Sequence, residues 1–575
     1  MKLPVYKVTT SVAPADRIRD LGKRLFPQED QQISERGMKV ELQSTVGSIE
    51  VDVGNGGVFA SDASRHWQFD PTSGKKVRLV KGREAEQVSL DIITAHGLLP
   101  KMGAPFHLKP ARTTGTVTAY TAQDKAPREV FQEDTTVFYD VEMDVSEMGL
   151  KQKTLPIIGG GGRFSVAMGD AGRLLATDGI WRPITGKPVQ YELIPQAKTD
   201  ELFRELTDGV PISEFTSELA YYSAPAFTGQ DLLYPVYVYS GVAKYGEQVV
   251  PLRKVVIPAT EIGQIPRTDD KQPLRPKNAE PIIRSLPLDM ELIPGKTLPP
   301  GITLNRQLMN DINYNLSDLM VAGNLADNGI GLTINPKLNE LVLKDIRDAL
   351  RYYSAGTSWI GSSGGLPKSK NNAQGFVNEL AAIGWNIRFN WGDANAYESD
   401  WRKNDDNWVD AVDFVFYSGH ANSNGWTLSP PDDNFLHCNE TGGASDLWGA
   451  NNLEWAVIAA CGPLQDALVG SGGDVLSRWR NAFDGLHMLM GYAQVTYDND
   501  QEGKRLVQYA KSKSTTLRQS WFRVGREIQP SGIWVGAYYV GNNAHSTGDD
   551  HLWGYGSVSP DIPNPTWRAC CWSPC

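Results

Sequence analysis

Two short apolar segments in the C-terminal half each lead to a residue that could do chemistry. They are residues 414–420, FVFYSGH, which end on His420, and residues 455–462, WAVIAACG, which contain Cys461. Each run is typical of a buried strand, and the 41 positions from His420 to Cys461 leave room for a helical crossover between parallel strands. The carboxyl ends of parallel strands meet at one sheet edge, where open α/β folds build their sites. A thiol beside an imidazole at that edge predicts thiolate nucleophilic catalysis.

The residue types suggest how the chemistry would be divided. Cys461 would be the nucleophile, and His420 the general acid/base that protonates the leaving amine and later activates water. The backbone N–H groups of Ala421, Cys461 and Gly462 are candidates for an oxyanion hole. The expected intermediate is an acyl-thioester on Cys461, which is resolved by hydrolysis or by transfer to an amine.

These segments resemble a known group of enzymes. YSGH at 417–420 and AACG at 459–462, with His before Cys, resemble the caspase, legumain and gingipain clan of cysteine peptidases. The resemblance covers about residues 310 to 560, and the run WAVIAACGPLQD is also similar to a bacterial and fungal family known only as a domain of unknown function. The resemblance implies a caspase-like domain with a His-Cys dyad.

The resemblance also implies where substrate binds. Clan members hold the residue before the scissile bond in a pocket near the dyad, and Ser418 and Gly419 would form the tight approach that presents His420. Asp446, Asp474 and Asp498 lie on segments that could reach such a pocket. One buried carboxylate there would select Arg or Lys, whereas a solvated surface position is the simpler interpretation for each of the three.

Two departures from the clan pattern bear on activity. Ala421 stands where the clan usually has Gly, so a side chain could crowd the oxyanion hole or the substrate backbone. Pro463 follows Gly462 and cannot donate a backbone hydrogen bond. Either change is compatible with altered specificity or with an inactive peptidase. An isolated Cys in an apolar strand is, moreover, usually an inert core residue.

The elements that would position the dyad follow a strand–helix alternation over residues 306–562. They include predicted helices at 338–353, 474–483 and 502–511, with strands between them. This alternation predicts an α/β fold, here a caspase-like domain with a mostly parallel sheet and helices on both faces. Residues 1–84 and 85–260 instead predict two α+β modules, in which a helix followed by three strands recurs.

The second of these modules carries its own resemblance. Residues 155–166, LPIIGGGGRFSV, and 179–184, GIWRPI, resemble the PepSY and thermolysin-propeptide type of module over roughly residues 85 to 260. Such modules have a small sheet packed on a helix and often chaperone or inhibit a peptidase. The resemblance therefore implies a pro-region-like half that contacts the peptidase domain within the chain.

Two segments lie outside these domains. Residues 261–305 carry repeated Pro, which blocks regular structure, and form either a cleavable tether or a strap fixed across both domains. Residues 563–575 contain Cys570, Cys571 and Cys575 and predict an extended Cys-rich tail. That tail could bind metal, form a disulfide, be released as a peptide, or simply be a frayed terminus.

Composition limits the partners. The net charge is −11 and no basic stripe is present, so nucleic acid is not an expected partner, whereas a peptide or protein substrate is. The chain has no apolar run of membrane-spanning length and no signal peptide at its start, so no membrane contact is expected. Five Cys in 575 residues favour a reducing, cytoplasmic location, with secretion by another route left open.

A metal site is the rival chemistry in the C-terminal half, but no metal and no cofactor are predicted. The candidate ligands fit no zinc spacing, and a calcium loop over 542–550 lacks the alternating acids of an EF-hand. These ligands are His437, Cys438, His487, His545, His551, Asp549 and Asp550.

The sequence thus predicts a cysteine endopeptidase or transpeptidase with a pro-region-like N-terminal half. Two alternatives stay open at this point. One is an inactive relative of the same fold that serves in binding or assembly. The other is a precursor that carries its own Cys-rich C-terminal peptide.

Overall fold

The structure is a computed structural model of the full chain. It describes residues 1–9, 15–27, 31–36, 39–68, 70, 73, 77–98, 102–122, 127–263, 353–441 and 448–575. Of these residues, 39% lie in strands and 22% in helices. All of the predicted helix at 338–353 except residue 353, nearly all of the predicted linker at 261–305, and Asp446 lie outside the described residues.

The described helices and strands are numbered here in chain order. The helices are α1 (Ala15–Leu25), α2 (Gly82–Ala95), α3 (Gln196–Leu206), α4 (Ser369–Ala381), α5 (Val475–Arg478), α6 (Glu502–Ala510) and α7 (Leu517–Ile528). The strands of the N-terminal half are β1 (Lys2–Val8), β2 (Gln32–Arg36), β3 (Lys39–Gln43), β4 (Gly47–Asp52), β5 (Gly57–Asp62), β6 (Phe106–Thr114), β7 (Val117–Ala122), β8 (Glu129–Gln132), β9 (Thr135–Asp144), β10 (Thr154–Ile158), β11 (Arg163–Met168), β12 (Leu174–Ile180), β13 (Ile184–Glu192), β14 (Ile212–Tyr222), β15 (Leu232–Tyr245), β16 (Gln248–Pro251) and β17 (Val255–Pro258). The strands of the C-terminal half are β18 (Ser354–Trp359), β19 (Asn386–Gly392), β20 (Phe414–Ser418), β21 (Ala421–Asn422), β22 (Gly425–Thr427), β23 (Phe435–His437), β24 (Trp455–Ala459), β25 (Met488–Tyr492), β26 (Trp534–Gly541) and β27 (Trp567–Pro574).

Most strands of the N-terminal half join one large sheet. Its order is β13-β1-β15-β14-β10-β9-β11-β12-β5-β4-β3-β2, with β16 and β17 beside β15, and β6 beside β9. Apart from the parallel pair β10–β14, the neighbours described in this sheet are antiparallel. Alternating burial along β3, iBiBe, is the pattern of a sheet with one face on the core.

The second sheet corrects the predicted fold class. Its order is β19-β18-β20-β24-β25-β26-β27-β7-β8. The pairs from β19 to β25 are parallel, whereas those from β25 to β8 are antiparallel. A mostly parallel, caspase-like α/β sheet with helices on both faces is therefore wrong. The strand–helix alternation misled because the strands that complete the sheet come from the C-terminus and from the N-terminal half.

The two faces of this second sheet are covered differently. Helices α4, α6 and α7 pack on one face, where Phe376, Leu506 and Trp521 are fully buried. The other face carries α5, β22 and irregular segments, and four Trp rings there have centroids 5.1 to 6.4 Å apart. These rings belong to Trp401, Trp426, Trp448 and Trp479. The predicted helix at 474–483 is only Val475–Arg478 followed by a 3-10 turn.

The connection between β20 and β24 also differs from the expectation. Its described residues form a small antiparallel sheet, β21-β22-β23, where a helical crossover was expected. A parallel connection needs length to return to the start of the next strand, and short strands with loops supply that length here as well as a helix would.

The predicted Cys-rich tail is wrong as well. Strand β27 lies between β26 and β7 in the second sheet, and all eight of its residues are buried. Cys570, Cys571 and Cys575 are fully buried thiols without a disulfide. The run of Cys and Trp at this end is therefore an interior strand, whose apolar character fits burial on both faces.

Strands β7 and β8 show that the two halves of the chain share this sheet. They come from residues 117–132 and extend it beyond β27. The predicted boundaries at 85–260 and 306–562 therefore cut through a continuous hydrogen-bonded ladder. Among the helices of the described residues, none combines the length and the apolar character needed to span a membrane.

Candidate functional site

His420 and Cys461 lie at the same edge of the second sheet. Strands β20 and β24 are parallel neighbours, and Ser418 at the end of one is opposite Ala459 at the end of the other. Each candidate residue comes two positions after that matched pair, so both follow the carboxyl ends of the strands. Both are buried, with His420 1% exposed and Cys461 fully enclosed.

The imidazole of His420 is held by two backbone groups. Its Nε2 lies 2.8 Å from the carbonyl oxygen of Gly364, and its Nδ1 accepts a hydrogen bond from the backbone N–H of Arg253 at 3.1 Å. These contacts assign the proton to Nε2, because Nδ1 must act as an acceptor. Burial lowers the pKa of His420 to about 4, and the Arg253 charge adds to this against the Gly364 hydrogen bond. The ring is thus oriented and neutral near pH 7.

The thiol of Cys461 contacts Thr496 on the segment after β25. The backbone N–H of Thr496 lies 3.4 Å from the sulfur as a donor, and the Thr496 hydroxyl is 3.8 Å away. Burial raises the pKa of Cys461, so this thiol is protonated at neutral pH. The structure describes no hydrogen bond between Cys461 and His420. The two groups therefore share one edge without forming a thiolate–imidazolium pair.

The side chain of Arg253 fills the space at this edge. Arg253 lies between β16 and β17 of the N-terminal half and is 1% exposed. One guanidinium nitrogen donates to the carbonyl of Ala459 at 2.7 Å, and the other donates to the carbonyl of Tyr497 at 2.6 Å. The first nitrogen is also 3.4 Å from the hydroxyl of Ser418. A residue of the N-terminal half thus occupies the strand ends that present the dyad.

A carboxylate partners this buried guanidinium. Glu502, the first residue of α6, lies 3.1 Å from Arg253 and is itself fully buried. Its oxygens also accept hydrogen bonds of 2.8 Å from Asn372, Tyr492 and Gln529. The start of a helix favours a negative charge. A buried ion pair is tolerated when its remaining hydrogen-bonding positions are filled in this way.

The backbone next to Arg253 pairs with the C-terminal half through one isolated β-bridge. The N–H of Lys254 donates to the carbonyl of Thr496 at 2.8 Å, and the N–H of Asp498 donates to the carbonyl of Lys254 at 2.9 Å. Lys254 and Tyr497 form a parallel bridge. Proteins commonly bind an extended peptide by this kind of strand addition, with main-chain bonds for affinity and a pocket for one side chain.

The structure brings several of the predicted residues to the same place. The hydroxyl of Ser418 accepts a hydrogen bond from Ser369 at 2.7 Å, beside the dyad. Gly419 is closely packed, since a Cβ there would lie 2.1 Å from the hydroxyl of Tyr417. Gly462 has a φ of +75°, which favours glycine. Glycine at these two positions allows the chain to turn sharply just after β20 and just after β24.

Ala421 and the predicted acids have other surroundings. Ala421 is fully buried and pairs with Trp426 in the small sheet. Asp474 caps the start of α5 and pairs with Arg128 at 3.0 Å. Asp498 accepts the N–H of Lys368 at 3.0 Å, and burial raises its pKa to about 6 while the Arg253 charge opposes this. Of the two described acids, Asp498 is the one beside Arg253. The oxyanion-hole assignments stay predictions.

Three residues of this site were missed from the sequence. Gly364, Arg253 and Glu502 lie 56, 167 and 82 positions from His420 along the chain. The sequence did contain an indication for Arg253, because this charged residue interrupts the apolar run PLRKVVIP at 251–258. Glu502 closes the acidic run DNDQE at 498–502, which begins with the predicted Asp498. The carbonyl of Gly364 carries no side-chain signal.

Comparison with known proteins adds a family match and a likeness to solved structures. The family model described as "Domain of unknown function (DUF6345)" matches residues 351–573, less than half of the chain. No curated protein matches the chain. A crystal structure of an uncharacterized protein from Eubacterium rectale ATCC 33656 is 13% identical over 47% of this chain and 87% of that one, with a TM-score of 0.26. At that TM-score the likeness carries no argument.

Proposed function

We propose that this chain is a latent cysteine peptidase whose His420–Cys461 site is occupied by its own residues 252–254. One observation carries the proposal. A buried Arg253 donates its backbone N–H to His420, while its guanidinium is enclosed by the carbonyls of Ala459 and Tyr497 and by Glu502. That is the arrangement expected of a bound peptide, in which the backbone lies against the catalytic base and one side chain fills a pocket.

The proposed chemistry begins at the thiol. His420 takes the proton of Cys461, the sulfur bonds to the substrate carbonyl carbon, and the tetrahedral species collapses with loss of the C–N bond. The leaving amine departs with the proton from His420, and water or another amine then resolves the thioester. The carbonyl of Gly364 would fix the ring so that Nδ1 faces the reaction. A base oriented by a third group is the usual arrangement for such a nucleophile.

The latent state is supported by the same contacts. Nδ1 of His420 is occupied by Arg253, and the enclosed Cys461 thiol has a raised pKa. Departure of residues 252–254 would free Nδ1 and admit water, which would bring the pKa of His420 back towards its ordinary value. The N-terminal half would then act as a pro-region by occupying the site directly.

The occupant also suggests a substrate preference. The pocket that holds Arg253 offers two carbonyl acceptors and one carboxylate, a set that matches the planar fork of a guanidinium better than an ammonium. We therefore propose peptides with Arg at the bound position as substrates. In this proposal Glu502 selects the Arg side chain of the substrate, a role for which the sequence suggested Asp446, Asp474 and Asp498.

A non-catalytic binding or assembly protein is the second candidate. It is favoured by the complete burial of Cys461, which is the usual state of an inert thiol. The third possibility, release of a Cys-rich peptide, would require removing β27 from the interior of a sheet. The five unpaired, buried thiols fit the proposed reducing, cytoplasmic compartment.

The test uses the full chain and removes the side chain that anchors residues 252–254, so that the backbone N–H bound to His420 can leave the site. Wild type, Arg253→Ala and Arg253→Ala/Cys461→Ala are incubated with a mixed peptide library, and products are identified by mass spectrometry. Arg253→Ala should cleave peptides after Arg and acquire an arginyl chloromethyl ketone label on Cys461. The double variant should do neither.

Control variants distinguish an opened site from an unfolded protein. Arg253→Lys keeps a cation in the pocket and should stay as inactive as wild type. Circular dichroism establishes that each variant is folded, and Arg253→Gln provides a second opened form. If folded Arg253→Ala and Arg253→Gln leave the library intact and Cys461 stays as slow to alkylate as in wild type, the peptidase proposal is wrong and the non-catalytic candidate stands.

A further inference from the structure

Three ligand-type side chains meet at the opposite edge of the second sheet. Glu454 directly precedes β24, His487 directly precedes β25, and Asp561 lies in the segment before β27. One oxygen from each acid and one nitrogen of His487 all lie within 4.8 Å of one another. The strand β24 and its flanking residues separate this cluster from Cys461 by roughly 20 Å of extended chain. The cluster is thus distinct from the site described above.

The ring of His487 is fixed by a fourth side chain. Its Nδ1 lies 2.6 Å from Oδ2 of Asp550, which also accepts the indole N–H of Trp455 at 3.1 Å. The other oxygen of Asp550 accepts the backbone N–H of Ser559 at 2.8 Å. Asp550 is therefore a firmly held acceptor that places the ring proton on Nδ1. Histidines that bind a metal through Nε2 are typically oriented by such a carboxylate.

The remaining nitrogen of His487 points between the other two acids. Nε2 is 3.0 Å from a Glu454 oxygen and 3.6 Å from an Asp561 oxygen. It is completely buried and makes no aligned hydrogen bond. Ligand atoms bound at about 2.0–2.2 Å from one ion are about 3–3.5 Å apart in tetrahedral geometry. The 3.0 and 3.6 Å separations from Nε2 are close to those between two ligands of one ion, and no aligned hydrogen bond accounts for them.

Charge supports the same conclusion. Glu454, Asp550 and Asp561 bring three carboxylates to one imidazole, and Glu454 and Asp550 are buried. Three carboxylates around one imidazole make a largely buried site rich in negative charge, and a bound divalent cation would offset part of that charge.

We propose that Glu454, His487 and Asp561 bind one divalent transition-metal ion, for which Zn²⁺ is the best match, with Asp550 as the positioning residue. One imidazole and two carboxylates suit Zn²⁺, whereas Ca²⁺ and Mg²⁺ prefer sites made of oxygen alone. Asp561 is 31% exposed, so the ion can enter from solvent and keep a water as its fourth ligand. The ion would tie the starts of β24 and β25 to the segment that leads into β27.

The experiment measures binding to the full chain, treated with chelator and then dialysed. Titration calorimetry with Zn²⁺ should give about one equivalent, and Co²⁺ should give the visible absorption of a four-coordinate site. Asp561→Asn changes a partly exposed ligand and should weaken Zn²⁺ binding about 10–100-fold or more, and Asp550→Asn should weaken it about 10–100-fold. His487→Asn should abolish binding.

Asp433→Asn is the matched control, because Asp433 is an acid remote from the cluster in sequence, and an Asn can also accept its hydrogen bond from the Phe435 N–H. It should bind Zn²⁺ as wild type does. Folding is checked by circular dichroism, so that Asp561→Asn decides the result if His487→Asn does not fold. The proposal is overturned if the folded wild type binds none of Zn²⁺, Co²⁺ and Mn²⁺, or if Asp561→Asn binds Zn²⁺ like the control. The cluster would then be a set of ion pairs without a metal.

Discussion

The backbone N–H of Arg253 donates to Nδ1 of His420 at 3.1 Å, although the two residues lie 167 positions apart. The guanidinium of the same residue reaches past the ends of β20 and β24 to Glu502. One residue of the N-terminal half therefore both blocks the imidazole and fills the adjoining pocket. Stability of the shared edge and latency of the proposed enzyme consequently depend on the same contacts.

Removing the Arg253 side chain should destabilise the protein strongly. Arg253→Ala leaves the buried carboxylate of Glu502 without its cation, and breaking a buried ion pair in this way costs about 3–5 kcal/mol. The free energy of unfolding is measured by urea titration of wild type and variant. A loss below about 1 kcal/mol, the usual value for surface pairs, would contradict the buried contact.

Replacing both partners should recover much of this loss. In Arg253→Met/Glu502→Gln the charges disappear together, and the amide oxygen introduced by the second substitution can still accept hydrogen bonds from Tyr492 and Gln529, which both donate to Oε1 of Glu502. Replacing a buried ion pair by uncharged groups of similar volume is often neutral. The double variant should therefore be more stable than Arg253→Ala in the same titration. Equal instability of the two would show that the charge of Glu502 is not the cause.

The pocket left by Arg253→Ala should bind small guanidinium compounds. The carbonyls of Ala459 and Tyr497 and the Glu502 carboxylate remain in place to receive a planar cation. Agmatine should raise the unfolding temperature of Arg253→Ala but not of wild type, since ligands stabilise only the state that binds them. Butylamine, which offers an ammonium, is the matched ligand and should act more weakly. Arg253→Ala/Glu502→Gln should lose the response.

The sequence predicted the neighbouring strands before His420 and Cys461 better than the fold around them. The apolar runs at 414–418 and 455–459 predicted two neighbouring strands that bring His420 and Cys461 to one edge, and the structure has these strands side by side. That inference needed only strand length and connection length. The partners of the outer strands depend on contacts between distant segments, which periodicity does not reveal.

The errors share one physical cause. Strand β27 was taken for a tail because its Cys and Trp follow a Pro-containing loop, yet its neighbour β7 lies more than 400 positions away. Likewise Arg253 reaches His420 from a segment assigned to another module. In each case the decisive partner is remote in sequence, so tertiary pairing overrode a sound local interpretation.

Protonation of His420 should destabilise the fold in mild acid. In the unfolded chain the imidazole binds a proton below about pH 6.5, whereas burial lowers the pKa of His420 in the fold to about 4. Between these values the unfolded state binds more protons, so the free energy of unfolding falls as the pH is lowered. The contribution of this residue is on the order of 3 kcal/mol. Urea titrations from neutral pH down to acid should show a smaller fall for His420→Asn than for wild type.

The exposed His545 provides the control for that series. His545→Asn removes a histidine of the same half without changing a buried group, so its pH profile should follow wild type. If His420→Asn and His545→Asn give the same profile, the neutral state of His420 does not contribute to the acid sensitivity, and the hydrogen bond from Arg253 to Nδ1 would have to be questioned.

Thiol accessibility should distinguish an interior β27 from a free Cys-rich tail. All five Cys are buried and unpaired, so the native wild type should react slowly with Ellman's reagent, whereas the chain in concentrated guanidinium chloride should show five thiols. Lys513→Cys places one thiol at an exposed position and should react at once as one equivalent. Under the proposed function, Arg253→Ala should add a single reactive thiol, mapped by mass spectrometry to Cys461, because residues 252–254 lose their anchor beside this thiol while β27 stays in the sheet. Three fast thiols at Cys570, Cys571 and Cys575 in the folded wild type would instead mean that β27 is not in the sheet.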